Sequence, residues 1–168
     1  MRYAGIIPND TSNAGAGICL SFYTQGCPHK CEGCHNPDTW NPDGGYEFTT
    51  DVLHDIIDGI AANGIKRNFC VLGGEPLSDD NVFLTYMVVD HVRKAYPDIR
   101  IYLWSGYTYE ELQHRSASQR INSILELCDF LIDGRYEQSL RDVTLPLRGS
   151  VNQRIINLKQ VDTQIENH

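Results

Sequence analysis

ICLSFYTQGCPHKCEGCHN, residues 18–36, decides how the chain is read. Its first seven residues, ICLSFYT (18–24), form an apolar, β-favouring run of strand length. The run leads directly into a loop that packs three cysteines and two histidines into ten positions, 27–36. A strand opening onto a thiol-rich loop suits an α/β protein, which gathers its chemistry beyond the C-terminal ends of its strands.

Working outward, the same succession repeats. Residues 35–48, with Asn36, Pro37, Asn41, Pro42, Gly44 and Gly45, read as loop. Thr50 caps a helix carrying Val52, Leu53, Ile56, Ile57 and Ile60 on one face, which stops at Asn63 and Gly64. NFCVL (68–72) is a second strand ending at GGEP (73–76). Ser78 or Asp79 then caps a helix with Val82, Phe83, Tyr86, Val89 and Val92 inward, ahead of Pro97.

IYLW (101–104) is a third strand, followed by Thr108 and Glu111 at capping-box spacing and a helix that breaks around 116–118 and resumes to Leu127. DFLID (129–133) and RIINL (154–158) are the last strands. The expected fold class is α/β, with a mostly parallel sheet or an incomplete (open) βα barrel as one domain over 1–168. The cysteine loop, GGEP, SGY (105–107) and DGR (133–135) all follow strands, so they should converge on one edge.

A chain of 168 residues buries about 70% of its unfolded surface, so it needs neither disulfides nor a metal merely to fold. Fourteen basic against 22 acidic residues give a net charge of −8, the wrong sign for nucleic acid or an anionic membrane. MRYAGIIPND has no charged leader before an apolar run, and no stretch approaches the roughly 18 consecutive apolar residues of a spanning helix. The expected compartment is the cytoplasm, where six cysteines are thiols or metal ligands rather than disulfides. Cys19, Cys70 and Cys128 stand alone in or beside strands and read as small buried apolar residues without a role.

Three readings compete for the cluster. CEGCH (31–35) has the form of a haem attachment site, with His35 as axial ligand, but this leaves Cys27 unused. A structural zinc site needs four ligands, and the second cysteine pair is missing. C-x3-C-x2-C over Cys27, Cys31 and Cys34 instead offers three thiolates to an iron–sulfur cluster. An electron-transfer cluster wants four, and three leave one iron open, as catalytic metal sites require.

Cys27, Cys31 and Cys34 resemble the cluster motif of the radical S-adenosylmethionine superfamily, and GGEP is similar to its second signature. The resemblance implies a [4Fe-4S] cluster whose open iron binds the amino and carboxylate groups of S-adenosylmethionine. It implies further that Gly73 and Gly74, with Glu75 nearby, meet the methionine amino group. Asp133 and Arg135 correspond to a polar pair facing the methionine carboxylate, and Ser105 is a candidate for the same pocket. Gly33, Cys34 and His35 correspond to a stretch meeting the adenine, although Gly33 and His35 replace an aromatic residue and a tyrosine frequent in relatives.

CHNPDTW (34–40) resembles the glycyl-radical activating enzymes. GAGICLSFYTQGC (15–27), WSGYTYEEL (104–112) and DGRYEQSLRDVTLPLRGSVNQRIINL (133–158) are similar to activases of the anaerobic, class III ribonucleoside-triphosphate reductase. The resemblance implies a reductase as protein substrate and a low-potential electron donor such as flavodoxin. Arg135, Arg141, Arg148 and Arg154, in a stretch with few acids, either dock that partner or bind the cofactor carboxylate. The alternatives are a pyruvate formate-lyase-type activase, a deazaguanine-type synthase, and a non-catalytic iron–sulfur or zinc module.

Overall fold

The structure, a computed structural model, describes residues 1–13, 15, 17–115 and 118–160. Its centre is a mixed sheet of seven strands: β1 (Arg2–Asp10), β2 (Cys19–Thr24), β3 (Tyr46–Glu47), β4 (Asn68–Gly73), β5 (Ile101–Ser105), β6 (Phe130–Asp133) and β7 (Arg154–Asn157). They lie in the order β3-β1-β2-β4-β5-β6-β7. The central four, β2, β4, β5 and β6, run parallel, while β1, β3 and β7 pair antiparallel at the flanks.

The parallel strands are added in sequence order in one direction. Right-handed crossovers then put every helix on the same face of the sheet. The helices are α1 (Thr50–Ile60), α2 (Val82–Ala95), α3 (Tyr109–Gln113) and α4 (Ser118–Leu127). Alternation along each strand divides the core accordingly. Leu20, Phe22, Phe69, Val71, Ile101, Leu103 and Leu131 face the helices. Cys19, Cys70, Tyr102 and Ile132 face the other way, against Leu72, Trp104, Phe130, Leu147 and Ile155.

The strands expected from the sequence are present to within a residue or two, and the Thr108–Glu111 capping box forms as expected. Four expectations are corrected. β1 was not foreseen because Gly5 and Pro8 break its pattern; Pro8 lies beyond the two residues that β3 pairs, where one side of the strand is an open edge. The 35–48 stretch contains β3 and a short 3-10 turn, Pro37–Thr39, rather than loop alone.

The first helix is capped by Thr49, not Thr50, with Thr49 Oγ1 accepting the Val52 N–H. α2 begins at Val82 after a turn in which the N–H of Asn81 and of Val82 both donate to Ser78 O, so neither Ser78 nor Asp79 is its cap. The late start rotates the buried stripe of α2 onto Val82, Leu84, Thr85, Val88, Val89 and Val92. Phe83 is left 50% exposed, its ring beneath the Arg120 guanidinium. The break expected at 116–118 falls between α3 and α4, and residues 116 and 117 lie outside the described residues. Among the described residues, no helix is long and apolar enough to cross a membrane.

Candidate functional site

The cysteine loop is rooted at both ends by backbone bonds. After β2, Gly26 N donates to Thr39 O at 2.6 Å and Cys27 N to Trp40 O at 3.1 Å. On the other side Glu75 N donates to Gly26 O at 2.8 Å, and the Asn81 amide bridges Gly26 O and Glu75 O at 3.1 and 3.0 Å. Within the loop Cys34 N donates to Cys31 O at 3.2 Å, and Asn36 N lies 3.4 Å from Cys34 Sγ.

These anchors place Cys27, Cys31 and Cys34 on the wall of one cavity of about 530 Å3, open beyond the C-terminal ends of the parallel strands. Gly73, Gly74, Glu75, Ser105, Arg135 and His35 line the same cavity; Gly33 and Asp133 do not. Gly33 has a φ of +77°, a conformation that excludes an aromatic side chain without strain. His35 approaches Tyr136 with ring centroids 6.0 Å apart.

GGEP is a contact between two backbones. At Gly74 a Cβ would strike Gly26 O, and at Gly73, with φ of +107°, it would lie 2.6 Å from Thr24 N. The Glu75 side chain, fully buried, is consumed inside the protein. Its Oε1 accepts from Leu77 N and Ser105 Oγ, both at 2.9 Å, and its Oε2 accepts from Gly106 N at 2.6 Å and pairs with His29 Nε2 at 2.9 Å.

His29 lies between Cys27 and Cys31, so its bond to Glu75 ties the cysteine loop to GGEP and to the loop after β5. Its other nitrogen, Nδ1, accepts from Arg135 Nε at 3.2 Å. Arg135 also reaches both oxygens of Glu111, at 3.1 and 3.2 Å. The Tyr107 ring packs edge-on to His29 at 4.5 Å and carries the Arg115 guanidinium at 4.0 Å.

Asp133 and Arg135, which the resemblance sets toward the methionine carboxylate, turn to different partners in the protein. Asp133 is buried and held by Arg154, which donates from Nε at 3.0 Å and from Nη2 at 2.5 Å, and by Tyr109 N at 2.7 Å. Arg154 also grips both oxygens of Glu110. Its hydrogen bonds to these two carboxylates hold the guanidinium still more firmly protonated than usual.

Comparison with known proteins decides the lineage. The family described as "4Fe-4S single cluster domain" matches residues 13–156. The anaerobic ribonucleoside-triphosphate reductase-activating protein of Vibrio cholerae is 36% identical over 156 residues, covering 92% of this chain and 97% of the relative. That of Escherichia coli K12 is 35% identical over 160 residues, 95% of this chain and 100% of its own. That of Enterobacteria phage T4 is 34% identical over 155 residues, 92% and 93% respectively. This chain belongs to the family of anaerobic ribonucleoside-triphosphate reductase-activating proteins.

The donor set of this activating-protein chain fits the cluster its family carries. Burial raises the Cys27 and Cys31 thiols above their ordinary value, so without a cation they are neutral, and metal binding would displace their protons. Two buried donors lacking an acceptor, Trp40 Nε1 and Arg148 Nε, belong to residues lining the same cavity. Cys19, Cys70 and Cys128 are fully buried elsewhere, and burial pushes the Cys128 thiol up to about 12.

Reading the sequence missed four residues that build this site in the activating-protein chain: His29, Asn81, Tyr107 and Trp40. His29 carried a signal, since it lies inside the cysteine motif. Asn81 carried none, because its partners, Gly26 and Glu75, are contributed by backbone carbonyls.

Proposed function

We propose that this chain activates the anaerobic ribonucleoside-triphosphate reductase by generating a glycyl radical on it, through reductive cleavage of S-adenosylmethionine at a [4Fe-4S] cluster. The observation that carries the reading is the shared cavity: three cysteines, the two glycines of GGEP and an arginine-lined wall at one end of a parallel sheet. Cys27, Cys31 and Cys34 would hold the cluster, with Gly73, Gly74, Ser105, His35 and the Arg135 side forming the cofactor pocket. When bound, the cluster supplies one electron to the sulfonium, releasing methionine and the 5'-deoxyadenosyl radical that takes hydrogen from a glycine Cα of the reductase.

The chain's own residues orient and exclude. Thiolate ligands suit iron–sulfur clusters, and the loops after β2, β4, β5 and β6 line the sides of the pocket. Glu75 acts here as a clamp through four protein donors, and Gly33 and Asp133 shape backbone and fold rather than the cavity wall. We place the chain, a single radical S-adenosylmethionine domain over 1–168 with an incomplete βα barrel, in the cytoplasm, served by a low-potential donor such as flavodoxin.

The test is anaerobic reconstitution with iron and sulfide, reduction with S-adenosylmethionine present, and assay of 5'-deoxyadenosine, followed by electron paramagnetic resonance of co-incubated reductase. A doublet on the reductase that requires both cluster and cofactor is expected. A protein loaded with cluster that forms no 5'-deoxyadenosine sinks the reading.

A further inference from the structure

The four arginines of the C-terminal stretch, indistinguishable in sequence, are separated by their partners. Arg154 is closed on Asp133 and Glu110, and Arg135 on Glu111 and His29. Arg141 is exposed and does not line the cavity. Arg148 lines the cavity and has no carboxylate partner among the described residues. Its Nε is buried without an acceptor, and its guanidinium makes one long bond, from Nη1 to Gln153 O at 3.4 Å. Among the described residues, no hydrogen bond from the Nε–Nη2 edge, the side of a guanidinium that grips a carboxylate with two parallel bonds, reaches a protein acceptor.

The backbone around Arg148 is held as if to aim it. Leu147 has a φ of +61°, a conformation a branched side chain adopts only when its surroundings impose it. Its carbonyl accepts the Trp104 indole N–H at 2.8 Å. On the other side Gln153 Oε1 accepts from Gly149 N and Ser150 N at 2.9 and 3.1 Å, while its amide donates to Gly134 O at 2.9 Å. Strained backbone and a buried donor without an acceptor both cost stability, and an anionic ligand in the cavity would satisfy the second.

We infer that Arg148 is the residue that pairs with the carboxylate of the cofactor's methionine moiety, a role the resemblance implies for Asp133 and Arg135 and the arginine-rich stretch leaves open among its four arginines. The inference rests on the proposed function. S-adenosylmethionine carries one anionic group, its carboxylate, beside a cationic sulfonium and an amine. The planar fork matches that group, and the other cavity arginine, Arg135, is already neutralised.

The test compares S-adenosylmethionine with its decarboxylated analogue on the anaerobically reconstituted full chain, using calorimetric dissociation constants and iron analysis of each form. Wild type should bind the analogue more weakly, through loss of both the carboxylate's bond to the open iron and its pairing with Arg148. Arg148→Met should discriminate about tenfold to a hundredfold less than wild type with unchanged iron content, the worth of a charge-assisted hydrogen-bonded pair, and Arg148→Lys should recover part of the difference. An R148M protein that discriminates as wild type does overturns the inference. Loss of iron in R148M also overturns it, because Arg148 would then serve the cluster. A cluster-loaded wild type that binds neither ligand defeats the functional reading itself, and the inference with it.

Discussion

His29 Nε2 lies 2.9 Å from Glu75 Oε2, with the imidazole nearly enclosed and the carboxylate fully so. One contact thus joins the loop between Cys27 and Cys31 to GGEP after β4. Because Arg135 Nε donates to Nδ1, the proton of the ring sits on Nε2 and is donated to the carboxylate. A chain from Glu111 through Arg135 and His29 to Glu75 spans three of the four loops at the cavity.

His29→Leu should therefore loosen the cysteine loop. It leaves Glu75 Oε2 with one donor, Gly106 N, and a lost bond to a charged acceptor costs about 1.5–3 kcal/mol. Lower iron retention and an altered electron paramagnetic resonance spectrum on adding S-adenosylmethionine are expected. His29→Gln, whose amide both donates and accepts, should restore both; equal behaviour of the two variants would argue against the tether.

Cys31→Ala should abolish cluster binding without unfolding the domain. Cys31 is partly exposed and in no disulfide among the described residues, so urea denaturation of the metal-free proteins should differ by less than about 1 kcal/mol. Iron and sulfide content after reconstitution should fall to background. Retained cluster would remove Cys31 from the ligand set.

At Gly74 even one methyl group should matter. The added carbon would meet Gly26 C and N at 2.9 and 3.1 Å as well as Gly26 O. Gly74→Ala should cost about 1–3 kcal/mol, typical of overpacking, by forcing GGEP away from the root of the cysteine loop. Denaturation midpoints together with iron content after gel filtration check this, and a variant as stable and as iron-rich as wild type contradicts it.

Breaking the buried pair of Asp133 and Arg154 should be costlier. Arg154→Met leaves a carboxylate with 1% exposure holding only the Tyr109 N–H, a loss of about 3–5 kcal/mol. Chemical denaturation should show this even in metal-free protein. A change below 1 kcal/mol would mean that Asp133 is rehydrated at little cost.

Acid should weaken the N-terminal half of the inner sheet face through Asp10. Burial opposes its ionisation, but bonds from Ser21, Asn13 and the N–H groups of Ser12 and Asn13 outweigh that and lower its pKa. A depressed folded pKa adds stability that is fully present above the unfolded value, about 3.9, and is lost as pH falls through the folded value. Urea midpoints of wild type and Asp10→Asn should therefore differ at pH 7 and converge below about pH 4. A gap that persists unchanged into acid would show that the carboxylate charge is not the source.

Local pattern carried much of the architecture. The four parallel strands, the Thr108–Glu111 cap and the convergence of four loops were legible because alternation, capping and strand-to-loop order are short-range properties. β1 and β3 were not, since their mutual pairing joins residues more than 40 positions apart, such as Arg2 with Glu47, and the composition of β1, with Gly5 and Pro8, argues against a strand. Phe83 falls off the buried stripe of α2, whose start, two or three residues beyond the expected caps, depends on a Ser78 turn no propensity reveals.

In the site, the three cysteines and GGEP could be picked out as candidates from sequence alone, because thiol and glycine spacing are written in residue types, and the structure brings them to one cavity. Which charged side chain meets which was decided only by the tertiary structure. Asp133 and Arg135 are two residues apart yet turn to different partners, Arg154 and Glu111, because side chains at β6 and in the loop beyond it are directed by the sheet and by the returning β7. The same packing that neutralised Arg135 and Arg154 left Arg148 without a counter-charge in the cavity wall.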